Sequence, residues 1–487
     1  MIVPPSIDRR SLLVGAAAAA IAPRAGQAQP APLLTVGTRV LDVKGRAATV
    51  FGVAGRGGRP GVYAAEGERF DGLVTNGTPD PLIMHWHGQT MAPAEQDRSR
   101  PGGGALGVGM ADHHAFALTR GTHWMHSHQL SEQQLLAAPM IAREREADEA
   151  QDIVLMLHDF AFRPPAEILR ELGGSDAHAG HGASAPAAGA APAAGGHAAM
   201  GHGQTGHGPM GHGPGAGRGM VHANDVRYDA YLANDRTLDD PEVVRVEPGA
   251  RVRLRIINGA TATVFFIDPG ALPATCAAVD GVACQPHRAA RYPLAQGQRI
   301  DLTMTIPREG GAFPILAQVE AERMRTGLVL ATAGAQLRRI ADMAPAPAPH
   351  ADLSLDLALR PRQAPPARND GRMVHLMLGE AAGYRWTING AIHGEHQPIQ
   401  ARLGERVLFM FMNPTSMMHP MHLHGHHFQV VSIGGRAFPG PLRDTVIVPP
   451  HMPVVVAVDF DKPGAWYLHC HHLDHLATGM MSEVVVA

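Results

Sequence analysis

Three ten-residue segments constrain this chain more than any other feature: Gly67-Glu-Arg-Phe-Asp-Gly-Leu-Val-Thr-Asn76, Gly249-Ala-Arg-Val-Arg-Leu-Arg-Ile-Ile-Asn258 and Gly404-Glu-Arg-Val-Leu-Phe-Met-Phe-Met-Asn413. Each opens on a glycine, runs through a mostly alternating strand pattern and ends on an asparagine nine positions later. A second segment recurs downstream of each: Gly121-Thr-His-Trp-Met-His126, Gly311-Ala-Phe-Pro-Ile-Leu316 and Gly464-Ala-Trp-Tyr-Leu-His469. The same two strand signals in the same order, three times over, predict three homologous β-domains. A chain of 487 residues is too long for one core and long enough for three.

Histidines mark two of the copies. Counted from the asparagine, His85 and His87 stand at +9 and +11 in the first copy, as His422 and His424 do in the third. The second segment ends on His126 and His469, each with another histidine two places on, His128 and His471. The middle copy has Ile267, Pro269 and Leu316 at these places. It reads as a metal-free spacer, with four matched His-x-His pairs meeting between domains 1 and 3. On a strand, i and i+2 share a face, so His469 and His471 point one way and Cys470 the other. A thiolate with two imidazoles and a weak thioether is the ligand set of an electron-transfer copper, and Cys470, His419, His475 and Met480 provide it. The first copy has Ser127, Leu82, Glu132 and Ala137 at these places, so there is one thiolate site, in domain 3.

These motifs resemble the multicopper oxidase family, laccase-like enzymes and bacterial copper-resistance oxidases, over essentially the whole mature chain. The resemblance implies an all-β fold of three cupredoxin-like Greek-key β-sandwich domains, placed at 29–150, 151–345 and 346–487. It implies four copper ions: a type 1 copper on His419, Cys470 and His475 with Met480 axial, a type 2 copper on His85 and His422, and two type 3 coppers, one on His87, His126 and His471, the other on His128, His424 and His469. Electrons from a small-molecule reductant, phenolic or Cu(I), would then enter at type 1 and pass through Cys470 to O2, which leaves as water. A copper nitrite reductase needs no such histidine pairs, and a non-enzymatic copper binder on this scaffold would be expected to have lost ligands. None is lost.

The proton supply is less defined. Asp97 and Glu95, in the loop after His87, are the nearest carboxylates, and a solvated loop role is the alternative for both. Many relatives carry a carboxylate immediately after the second type 1 histidine, where this chain has Leu476. His158, on a predicted strand at 152–159, and the turn Arg443-Asp444-Thr445-Val446 read as scaffold. So do Trp86, Trp124 and Trp466, beside the copper motifs. Met410, Met412, Met417, Met418 and Met421 are either core filler or Cu(I)-binding thioethers.

Residues 1–28 carry Asp8-Arg9-Arg10-Ser11-Leu12-Leu13, a short apolar run and a small-x-small site at Gly26-Gln27-Ala28, the pattern of a twin-arginine signal peptide. A periplasmic or secreted protein with no membrane anchor after cleavage is the expectation, since the run is too short to span a bilayer. A net charge of -3 without a basic stripe excludes a nucleic-acid surface. Residues 173–219 shift to Gly, Ala, Pro and His, with Met200 and Met210, an insertion that cannot build a core. Weak multivalent copper binding and a plain solvated linker are its two readings. Cys276 and Cys284 flank the turn signal Asp280-Gly281. A three-residue loop would let them bridge; a two-residue loop would put them out of register on opposite faces.

Overall fold

The structure is a computed structural model that describes residues 33–145, 150–173, 223–368 and 370–487. The arginine pair at 9 and 10 and all but the first residue of the 173–219 tract lie outside the described residues.

Six sheets form three pairs. Strands between Leu33 and Arg143 build two four-stranded sheets. Those between Gln151 and Ala331 build a six- and a five-stranded sheet, and those between Arg372 and Val486 a seven- and a five-stranded sheet. Each pair encloses its own apolar core. The repeat strands occupy the same place in all three. Arg69–Asn76 runs parallel to Leu33–Val43, Arg251–Asn258 to Gln151–Phe160, and Arg406–Met412 to Arg372–Ala381.

The repeated asparagine has a physical reason. Where a buried strand ends, the chain must turn with its amides and carbonyls satisfied, and a primary amide offers two donors and an acceptor in one side chain. Asn76 Nδ2 donates to Asp80 O and Leu106 O (both 2.9 Å), and its Oδ1 accepts from the Thr78 N–H. Asn258 Nδ2 donates to Thr263 O and Leu294 O (2.9 and 2.8 Å), with Oδ1 accepting from the Ala260 N–H. Asn413 Nδ2 donates to Met417 O and Val448 O (2.7 and 2.9 Å), with Oδ1 accepting from the Thr415 N–H. Each loop is thereby held before the next strand begins, and that strand carries the +9 residue.

Pairing of that strand differs in the middle copy. His85 stands opposite His126 and His422 opposite His469, whereas Ile267 stands opposite Ala317, not Leu316. The ladder is slipped by one residue. Ile267 and Ala317 both lie in the apolar core of the middle sandwich.

The sandwiches pack through apolar contacts and buried ions. Val50, Leu135 and Phe160 cluster with Leu232 between the first and second. Val264 and Ala295 of the second, with Ala94 of the first, join the core of the third. The buried Arg255 of the second donates to the first through Nη1 to Thr122 Oγ1 (3.1 Å) and Nη2 to Glu144 Oε2 (2.9 Å). His158 is structural, its Nδ1 2.9 Å from Gly259 O. Met417, Met418 and Met421 are buried in the core of the third sandwich, as filler. The cysteine hairpin departs from both simple expectations. Its loop is the two-residue Asp280-Gly281, with Val279 opposite Val282, yet a β-bulge between Cys276 and Ala278 brings the two Sγ atoms to 3.7 Å. Both thiols are free and buried.

Candidate metal centre

The short strand Met84–His87 carries one of the first His-x-His pairs, His419–Leu423 carries His422 of the other and leads to His424, and Gly121–Ser127 and Gly464–Cys470 lead into the second pairs. Pairing within each sandwich sets two imidazoles side by side, and the interface between the first and third sandwiches sets the two groups face to face. His85 Nε2 lies 3.2 Å from His422 Nε2. His469 Nε2 lies 2.9 Å from His424 Nε2 and 3.2 Å from His128 Nε2. The remaining three converge: the rings of His87 and His126 are each 5.1 Å from that of His471. All eight side chains are buried.

This arrangement makes sense only around cations. His87 Nδ1, His126 Nε2 and His471 Nε2 are buried with no hydrogen-bond partner among the described residues, which costs about 1–3 kcal/mol each if nothing else binds them. Burial first, and the neighbouring rings second, hold His85, His87, His422 and His424 well below the ordinary imidazole range. Neutral rings with lone pairs facing each other are metal ligands in waiting.

A second group lies one residue away along the chain. Cys470 points to the opposite face from His469, and its Sγ is 3.7 Å from both His419 Nδ1 and His475 Nδ1, which are 3.2 Å apart. The short helix Leu473–Ala477 delivers His475, and the chain returns so that the Cys470 N–H donates to Met480 O (3.0 Å). Met480 is buried. Burial pushes the Cys470 thiol up, so a thiolate here needs a bound cation. One soft sulfur and two imidazoles fit copper.

Carboxylates and hydroxyls fix the ligand rings from behind, and sequence reasoning found only one of them. Asp97 is buried, not solvated: its Oδ2 lies 2.7 Å from His85 Nδ1 and its Oδ1 accepts from the Ser99 N–H. Burial lifts its carboxyl to about 8, against the backbone amides that pull it down. Glu95 is exposed. Glu132 Oε2 lies 3.0 Å from His126 Nδ1. Asp444, in the turn read as scaffold, places Oδ1 3.2 Å from His87 Nε2 and its backbone oxygen 2.8 Å from His422 Nδ1, while Arg299 clamps its carboxylate with two donors. Contacts of this kind orient each ring so that the opposite nitrogen faces the metal. Asp444 reaches His87 across an interface, which leaves no spacing to read, whereas Glu132 stands in the same sandwich as His126 and was marked only by its place in the repeat.

Around His475 two further residues were unforeseen. Trp386, the fourth tryptophan, stacks on its ring at 3.8 Å. Asp225 Oδ2 lies 3.6 Å from His475 Nε2 and accepts from the Tyr384 hydroxyl at 2.7 Å. Trp124 stacks on His126 at 4.1 Å, while Trp86 and Trp466 pack in the cores.

Comparison with known proteins points the same way. Sequence models of multicopper oxidases match residues 35–146, 203–336 and 368–487. The chain is 28% identical over 443 residues to the multicopper oxidase MmcO of Mycobacterium tuberculosis, covering 87% of this chain and 81% of that one. A copper resistance protein A homolog of Pseudomonas syringae pv. tomato is 23% identical, with 93% and 92% covered. The crystal structure of a laccase from Botrytis aclada shares the fold at a TM-score of 0.71, with 20% identity over 93% of this chain and 87% of that one. The three sandwiches are thus cupredoxin-like, and the chain belongs to the multicopper oxidase family, the copper-dependent oxidoreductases that use dioxygen.

Proposed function

We propose that the protein couples four one-electron oxidations of a small-molecule donor to the reduction of O2 to two waters. The carrying observation is the juxtaposition of Cys470, between His469 and His471, with eight convergent imidazoles. In this reading His419, Cys470 and His475 with Met480 hold a type 1 copper, and His85 and His422 a type 2 copper. His87, His126 and His471 hold one type 3 copper, and His128, His424 and His469 the other. When bound, copper at these residues would supply one-electron redox chemistry at the thiolate site and the reduction of dioxygen at the cluster. The chain's own residues do the rest. Cys470 links the two groups covalently, because its neighbours in sequence are cluster ligands. Asp97, Glu132 and Asp444 hold the ring tautomers by accepting from the nitrogens that face away from the cluster, and Asp97 is the carboxylate placed to relay protons toward it.

A phenolic, laccase-like donor would have to pass electrons to His475 through the groups that cover it, Trp386 and Asp225, since the ring itself is buried. Cu(I) is the second reading, and the surroundings of His475 favour it. A Cβ at Gly173, where the His-rich tract begins, would stand 3.9 Å from Tyr384 Cβ, and Asp225, just past the tract, bonds to the Tyr384 hydroxyl. Both described flanks of the tract therefore lie beside the type 1 ligand, despite their distance from it in sequence. Oxygen consumption by the copper-loaded protein with Cu(I) and with a phenol, each repeated on a variant lacking residues 173–219, separates the readings. Cu(I) oxidation that falls with the deletion identifies a copper-tolerance oxidase; phenol turnover indifferent to it identifies a laccase. Export by the twin-arginine signal to the periplasm or beyond belongs to the same proposal, and normal secretion of an Arg9→Lys, Arg10→Lys variant would refute it.

A further inference from the structure

The hairpin Thr275–Val279, Val282–His287 reaches the metal centre through its tip, not its cysteines. Asp280 and Gly281 both adopt left-handed backbone (φ 47° and 78°), as a tight two-residue turn requires. Asp280 is fully buried. Its Oδ1 accepts from the Arg299 N–H (2.9 Å), its Oδ2 from Arg443 Nη1 (3.3 Å), and its backbone oxygen lies 3.3 Å from His427 Nε2. Gly281 lies under the His123 ring so closely that a Cβ there would meet Cε1 at 2.3 Å. Arg299 in turn clamps Asp444, which holds His87 and His422. The tip is thus wedged between the strand that carries His126 and the acid-base pair that orients two other ligands.

At the base of this hairpin the bulge has turned Cys276 toward Cys284. Without it the two side chains would face opposite sides of the sheet. Their Sγ atoms lie 3.7 Å apart, buried and outside the metal groups. The hydrogen bond from Cys276, helped by the charge of Arg443, holds the Cys284 thiol below its usual range and makes it the better nucleophile. Its strand is the edge of the six-stranded sheet, covered by a single bridge to Pro361, so a local opening exposes it.

We propose that Cys276 and Cys284 are a redox-active pair that closes into a disulfide, and that this bond fixes the hairpin whose tip braces the ligand-orienting Arg299–Asp444 pair. The oxidant is a disulfide such as oxidised glutathione, met in the compartment to which the proposed export delivers the protein. The Cys284 thiolate attacks one of its sulfurs and expels one thiol; Cys276 then displaces the second. One S–S bond forms, one breaks, and the two thiol protons leave with the reduced oxidant as two thiols.

The test uses the full-length copper-loaded protein with oxidised glutathione as the probe. Thiol titration after unfolding, with peptide mass mapping, should find Cys276 and Cys284 joined and lighter by two hydrogens. Alkylation of both Cys276 and Cys284, or a stable glutathione adduct, overturns the proposal. Oxidised and reduced wild-type protein are then compared for thermal unfolding and for copper release to a chelator. The oxidised form should unfold roughly 2–4 °C higher and release copper several-fold more slowly, and a Cys276→Ala, Cys284→Ala variant should show neither response to the probe. Equal release rates from the two wild-type forms overturn the link to the metal centre.

Discussion

Five residues after Cys470 the third sandwich places His475, a donor of the thiolate group; five residues after Ser127 the first sandwich places Glu132, which backs His126. The two positions are equivalent in the repeat, and both side chains are buried. A frame that gives the same strand pairing can therefore present either a metal donor or an orienting carboxylate from one site, depending on what stands in the Cys470 position. With a thiolate there, a ring nitrogen facing it completes a copper site. With a serine there, nothing remains to bind, and the space serves the imidazole on the other face. The middle sandwich is the third case. Ile267 and Ala317 fill the histidine positions with core, and its arginines Arg255 and Arg299 pair with carboxylates of the first and third sandwiches instead.

The largest effect that can break this comparison comes from making the third sandwich resemble the first. Cys470→Ser should abolish the thiolate-to-copper absorption band and reduce turnover below detection, because the electron path loses its sulfur. Copper retained by the eight histidines, measured by metal analysis, should persist. Loss of all copper would show that the two groups do not form independently.

Next come the orienting carboxylates. Glu132→Gln and Asp97→Asn each keep volume and remove the charge behind a ligand ring, and should cost about 10–100-fold in oxygen reduction. The thiolate absorption should be unchanged in both. For Asp97→Asn, wild-type turnover would exclude both its positioning and its proton role.

Ile267→His tests the middle case. With Ala317 facing it and apolar side chains around it, a buried ring there gains no metal and leaves polar atoms unsatisfied. About 2–4 kcal/mol of stability should be lost in chemical denaturation, with copper content unchanged. A gain of bound copper would mean that the middle sandwich is closer to a metal site than its packing indicates.

How much of this was legible in sequence follows from what each feature depends on. The asparagines, the His-x-His pairs and Cys470 are tied to local spacing along one strand, so the repeat exposed them and the third-to-first alignment placed them. Asp444, Asp225 and Trp386 act across sheets or sandwiches, and no periodicity records such contacts. The one-residue slip opposite Ile267 and the bulge at Cys276 were illegible for a related reason: both are set by register, which the strand pattern alone leaves open where the two faces are similar in polarity. Asp97 was found by proximity to His87, yet its partner is His85, and its burial reversed the solvated reading.

The smallest effect separates the regions by pH. Cluster histidines in the copper-free protein are held well below the unperturbed value of 6.5, burial being the main cause. Below 6.5 the unfolded chain takes up protons that the folded one does not, so the stability they provide is fully present above that pH and is lost as pH falls. Each such histidine contributes up to about 1.4 kcal/mol per pH unit in that window. Glu320, buried in the middle sandwich, behaves oppositely. Its carboxyl is raised to about 7 by burial, so the folded state holds the extra proton, and its contribution fades as pH rises from 4.5 toward 7. Copper-free protein should accordingly lose urea resistance on acidification from pH 7 to 5, and Glu320→Gln should steepen that loss slightly by removing the opposing slope. A urea midpoint that is flat across this range in both proteins would show that the histidine cluster opens to water once the metal is gone, and that the close ring contacts between the first and third sandwiches depend on copper.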